Sequence, residues 1–176
     1  MKLLLTLCLA SLLTLPAAAA RRIGEAEVRT GKNSLPCFTI AEREEERGGN
    51  LDFQAVTVTT GGRTVWRMAM PRERTFALAF SMCIPYGGRV QALPQTPAAP
   101  LASGTVYTVQ LDTRPGRNGA APLRYTARFC MVRDPAGKEV LRRIGANDHQ
   151  GRDLYGCLAA APGDLTVPRA STGASD

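Results

Sequence analysis

Apolar side chains recur at every second position along most of this chain. Leu123, Tyr125, Ala127, Phe129 and Met131 alternate with Arg124, Thr126, Arg128 and Cys130. Trp66, Met68 and Met70 alternate with Val65, Arg67 and Ala69. Phe76, Leu78, Phe80, Met82 and Ile84 alternate with Ala77, Ala79, Ser81 and Cys83. A period of two places one set of side chains on a core and the other in solvent, so each run predicts a strand with one buried face. Adding Glu25–Thr30, Leu35–Ala41, Phe53–Val58, Val106–Thr113 and Lys138–Ile144 gives about eight short strands and no strong helix.

Turn chemistry separates these runs. Gly61 and Gly62 join Phe53–Val58 to Thr64–Met70 as a hairpin, because glycine reaches positive φ at low cost. Gly87-Gly88, Arg114-Pro115-Gly116 and Asp134-Pro135-Ala136-Gly137 close further strands. Many short strands between regular turns predict an all-β sandwich of about 7–8 strands, not βαβ units. Glu42–Arg47 is charged and reads as a solvated loop or a single helical turn. Gln91–Ala102, with Pro94, Pro97 and Pro100, reads as an extended connection. Tyr107 opens a strand just past Gly104, which suits a tyrosine corner whose hydroxyl bonds back to the preceding loop.

The N-terminus has a different character. Lys2 precedes an apolar stretch from Leu3 to Leu15, then Pro16 and Ala17 to Ala20. One cation, a short apolar core and a small-residue ending are the parts of a cleavable signal peptide. The stretch is shorter than the roughly 20 apolar residues a spanning helix needs. Residues 1–20 are therefore expected to be removed, leaving a single domain over 21–160 and a disordered tail over 161–176. Cys8 sits inside the apolar core behind Leu7, the wrong place for lipid attachment, so no anchor is expected in the mature protein. The predicted location lies beyond the cytoplasmic membrane.

Export changes how the cysteines read. Cys37, Cys83, Cys130 and Cys157 remain after cleavage, and an oxidising compartment makes four cysteines two disulfides. Their spacings of 46, 47 and 27 residues, with no C-x-x-C pair, do not suit zinc. Three pairings are open at this level. The chain carries 22 cations against 15 anions, and past the signal every cation but Lys32 and Lys138 is arginine. An arginine fork suits carboxylates and fits an acidic protein partner, but a GC-rich genome alone yields the same arginine excess and is the simpler reading, while export argues against nucleic acid.

Catalytic chemistry is poorly represented. His149 is the one histidine, in the polar segment Gly145–Asp153, and no G-x-S-x-G elbow accompanies it. Asn147, Asp148 and Asp153 lack the repeated acidic spacing of a calcium loop. The paired glycines at 48–49, 61–62 and 87–88 precede no helix and read as turns, not phosphate cradles. A glycosidase needs only two carboxylates. The one tryptophan, however, lies in phase with Met68 and Met70 and reads as core, not as a sugar platform. No catalytic residue, metal or cofactor is expected.

In chain order the segments Asn33-Ser-Leu-Pro-Cys37-Phe-Thr-Ile40, Gly61-Gly-Arg-Thr-Val-Trp66, Cys83-Ile-Pro-Tyr-Gly87, Leu101-Ala-Ser-Gly104-Thr-Val-Tyr107 and Tyr125-Thr-Ala-Arg128-Phe129-Cys130 form a series. The series resembles a family of small bacterial periplasmic proteins described as type VI secretion immunity proteins, over roughly residues 25–133. Many members look like lipoproteins, which this chain does not. The resemblance implies an immunoglobulin-like or fibronectin-III-like sandwich that binds and neutralises a toxin delivered by a neighbouring cell. It also implies Cys37–Cys83 inside the sandwich. Cys130, in phase with Arg124 and Arg128 and so facing outward, would then hold a C-terminal extension through Cys157. The expected contact residues are the outward arginines Arg63, Arg67, Arg124 and Arg128. The alternatives are an accessory module of the cell envelope or a small carboxylate hydrolase.

Overall fold

A computed structural model describes residues 22–90, 93–114, 121–145 and 151–157. The signal segment 1–20, the tail 161–176 and His149 lie outside the described residues. The strands are β1 (Gly24–Thr30), β2 (Pro36–Ile40), β3 (Leu51–Thr60), β4 (Arg63–Ala69), β5 (Phe76–Leu78), β6 (Ile84–Pro85), β7 (Val106–Thr113), β8 (Arg124–Arg133) and β9 (Glu139–Ile144). Two short helices, α1 (Glu42–Gly48) and α2 (Arg152–Tyr155), complete the set with a 3-10 turn at Lys32–Ser34.

The strands form one hydrogen-bonded path, β4-β3-β7-β8-β1-β2-β6, with β5 on β3 and β9 on β8. Every pairing is antiparallel except β1 with β8, so the sheet is mixed. The all-β expectation holds, and the strands lie in a single mixed sheet curled into a half-barrel. The physical cause lies in β1. Its first residues, Gly24 and Glu25, pair with Tyr125 and Thr126 of β8, and Ala26–Thr30 then pair with β2. One strand therefore bridges two halves that would otherwise be independent. Register shifts in β3 near Phe53–Ala55 and Val58–Thr59 add bend and twist to the other half.

The curl encloses the core. Phe38 on β2 stands 5.7 Å from the Phe129 ring, 6.3 Å from Trp66 and 6.4 Å from Tyr86, measured between ring centroids. Val28, Ile40, Phe53, Val56, Val58, Leu78, Val109 and Leu111 close around this aromatic centre with no measurable exposure. Each such side chain contributes about 1.5–3 kcal/mol by leaving water.

Local chemistry explains the hairpins and corners. Gly61 and Gly62 have φ of 52° and 78° between the paired ends Thr60 and Arg63, the two-residue turn whose twist matches antiparallel strands. The Tyr107 hydroxyl accepts a hydrogen bond from the Ala102 N–H at 2.8 Å, which is the predicted tyrosine corner. Residues 93–99 run extended beside β4: the N–H groups of Ala69, Thr96 and Ala99 donate to the carbonyls of Pro94, Arg67 and Val65. The edge of β4 is thereby covered.

Two expectations need correcting. The alternation over Phe76–Ile84 does not make one strand, because pairing stops at Leu78 and resumes only at Ile84, while Met82 is exposed. The chain between turns back over the outer side of β2. There the buried Thr39 hydroxyl donates to the Ala79 carbonyl at 3.0 Å, the Phe80 N–H donates to Glu45 at 2.8 Å, and Cys83 is bonded to Cys37. As a result all five residues of β2 are buried. The Glu42–Arg47 stretch is a helix, and its Glu44 is buried instead of solvated. Arg22 donates to Glu44 at 2.9 Å and the Glu25 N–H does so at 3.4 Å, which fastens the start of β1.

Candidate functional site: the outer sheet face and its crevice

The strand period that buries one face of β4, β3, β7 and β8 turns the other outward, and the register arranges that face in rows. Arg67, Thr57, Gln110 and Thr126 lie side by side across the four strands. Thr59, Thr108 and Arg128 form the next row, and Asp112 stands opposite Arg124 in a third. Arg63 occupies the hairpin end, paired with Thr60. Arg67, Arg124 and Arg128 therefore share one face, with Thr57, Gln110 and Thr126 between the strands that carry them, whereas Arg63, paired with Thr60 one step past Thr59, falls in the opposite phase at the hairpin end.

Their electrostatic states differ. The Arg124 Nε donates to Asp112 at 3.2 Å, and the same carboxylate accepts from Gln110 at 2.9 Å. Arg63, Arg67 and Arg128 are exposed, and their guanidinium groups bond to no described residue. Three cations are thus available to an incoming acceptor, and the fourth is partly neutralised.

Beside Arg128 the face opens into a crevice of about 740 Å³. It exists because two strands compete for one edge of β8. β1 holds that edge at Tyr125 and Thr126, and β9 takes it from Arg128 onward. Ala127 lies between them. Thr108, Thr126 and Arg128 line one side, and Glu25, Glu27, Arg143, Ile144 and Asp153 are among the residues of the others. An ion pair crosses the opening: Arg143 of β9 donates to Glu27 of β1 at 3.1 Å, and Arg29 donates to the same oxygen at 3.2 Å. Glu25 is paired with Arg43, and Asp153 accepts the Gly145 N–H at 2.9 Å.

The disulfides frame this region. Cys37 is bonded to Cys83, the pair the resemblance implies, and Cys130 to Cys157, the pair expected from the outward phase of Cys130. Cys130, on the outer side of β8, packs with Cys157 and Ile144 in a small cluster of its own, with Val106 and Val132 against it. The bond holds α2 at the end of β9, where Asp153 joins the crevice wall.

Two tyrosines have raised pKa values. Burial, with a smaller contribution from Tyr107, pushes Tyr86 up to about 12, and its hydroxyl donates to the Ala99 carbonyl at 2.6 Å. Burial also raises Tyr125, the Glu44 carboxylate adds to this, and Arg22 opposes it. Both hydroxyls are thereby held in the neutral form more firmly than a free phenol. Among the described residues no group of three or more His, Cys, Asp or Glu is placed to hold a metal ion. Asn147 and Asp148 lie outside the described residues.

Sequence reading singled out Arg128 but missed Glu27, Arg143, Thr108 and Thr126. The outward phase of Thr108 and Thr126 is visible in the strand alternation. The meeting of Glu27 and Arg143, 116 residues apart, carries no local signal. No helix among the described residues is long and apolar enough to cross a membrane. Compared with family models, curated proteins and solved structures, the chain matches none.

Proposed function

We propose that this protein is exported to the periplasm, has no catalytic activity, and acts as an immunity protein. It would bind an acidic surface of a toxin delivered by type VI secretion and hold the toxin inactive. The observation that carries this reading is the gathering of Arg67, Arg124 and Arg128 on one polar sheet face, Arg67 and Arg128 without a counter-charge among the described residues, with the exposed Arg63 at the adjoining hairpin end. Guanidinium groups on a rigid sheet suit paired hydrogen bonds to carboxylates, and their long-range field speeds encounter with a negative partner. The two disulfides accord with an oxidising compartment.

We also read the fold as immunoglobulin-like, with β4-β3-β7-β8 as one sheet and β1-β2-β6 as the other, joined where β1 changes partner. The tyrosine corner on β7 and the contact of Phe38 with Trp66 and Phe129 support that reading.

The test is competition between a deletion strain and its toxin-competent parent, complemented with the wild-type chain or with one carrying R63E, R67E, R124E and R128E. The deletion strain is expected to be killed, the wild-type chain to rescue it, and the charge-reversed chain to fail although folded and exported. Survival of the deletion strain sinks the immunity reading.

A further inference from the structure

We propose that the crevice between β1 and β9 receives an extended segment of a protein partner, seating a carboxylate of that segment on Arg128 between Thr108 and Thr126. The inference rests on the binding role above and names where the partner is gripped. Charge is the first argument. Every carboxylate lining the crevice is already engaged: Glu25 by Arg43, Glu27 by Arg29 and Arg143, and Asp153 by the Gly145 N–H. Arg128 is the lining cation whose guanidinium bonds to no described residue. Of the lining charges, three carboxylates and two arginines, Arg128 is the one left to receive an added carboxylate.

Donor geometry is the second argument. Thr108 is the cross-strand partner of Arg128, and Thr126 precedes it by two residues on the same face. Two hydroxyls therefore flank a planar fork that binds carboxylate through paired hydrogen bonds. The third argument is the free strand edge. Among the described residues β1 pairs only with β2 from Ala26 onward, so its opposite edge borders the crevice with no described strand upon it. An open edge offers main-chain bonds to an extended peptide, and side-chain pockets beside it supply the selectivity. The volume of about 740 Å³ falls in the range that holds a ligand of a few side chains.

The test uses isotope-labelled protein and two blocked peptides, Ac-Thr-Val-Glu-Val-Thr-NH2 and the same peptide with Gln for Glu. The Glu peptide should shift the amide resonances of Glu27, Thr126, Arg128 and Ile144. The Gln peptide should bind roughly tenfold more weakly or worse, because a hydrogen bond to a charged group is lost. R128Q should lower affinity for the Glu peptide to the same degree, R128K should recover part of it, and R72Q, at an exposed residue outside the crevice, should leave it unchanged. Equal binding of the two peptides overturns the proposal, and so does a loss shared by R128Q and R72Q or a set of shifts that misses the crevice. A strain whose immunity survives R128Q while the peptide fails to bind removes the crevice and leaves the broader role intact. An insensitive deletion strain removes the immunity role and leaves the peptide result standing.

Discussion

Phe38 of β2 and Phe129 of β8 hold their ring centroids 5.7 Å apart, although β1 lies between their strands in the hydrogen-bonded path. The contact spans the interior of the curl instead of running along the sheet. It joins the half that carries the arginine face to the half closed by the Cys37–Cys83 bond. Neither ring has measurable exposure.

Replacing Phe38 with Ala should lower the unfolding free energy by about 3–5 kcal/mol, since the aromatic centre cannot collapse around the void. Phe38→Leu keeps most of the volume and should cost far less. Urea unfolding checks this, with a shifted midpoint and an unchanged slope expected for both variants. Equal midpoints for the two would contradict a rigid aromatic centre.

The two disulfides should separate on mutation. Cys83→Ser with Cys37→Ser unclamps the chain that folds over β2 and should cost about 2–4 kcal/mol of global stability. Cys157→Ser with Cys130→Ser releases α2 from a small peripheral cluster. Hydrogen exchange should then show fast local opening over residues 151–157, with protection in β3 and β7 largely kept.

Alkaline pH should destabilise the fold within a defined window. The Tyr86 hydroxyl is raised from 10.0 to about 12 in the folded protein. Below pH 10 the group is neutral in both states and its contribution is fully present. Between pH 10 and 12 the unfolded chain ionises first, so stability falls, by on the order of 2 kcal/mol in total. Tyr86→Phe should flatten that part of the curve, and the raised Tyr125 should leave a smaller residual slope. Chemical denaturation at stepped pH reads both.

Tyr107→Phe should cost about 0.5–1.5 kcal/mol, because the corner loses the hydrogen bond from the exposed Ala102 N–H. The ring would still stack on Phe129, whose centroid is 5.5 Å away, so the loss should localise at the corner. Amide exchange at Ala102 should accelerate more than exchange at Val109.

Much of the strand content was readable without coordinates because pleating and glycine φ act over a few residues. The alternation along β8, the Gly61-Gly62 hairpin, the Tyr107 corner and four cysteines suited to two bonds all belong to this class. The long-range pairing decided the remainder. That β1 serves both β8 and β2, and so makes one curled sheet, depends on residues about a hundred positions apart. The fold-back after Leu78 follows from the Cys37–Cys83 bond and the buried Thr39, neither of which marks a local break in period. Arg128 could be singled out as an outward arginine. Its place on a crevice whose carboxylates are all engaged arises only when Glu27 and Arg143 meet across the gap between β1 and β9.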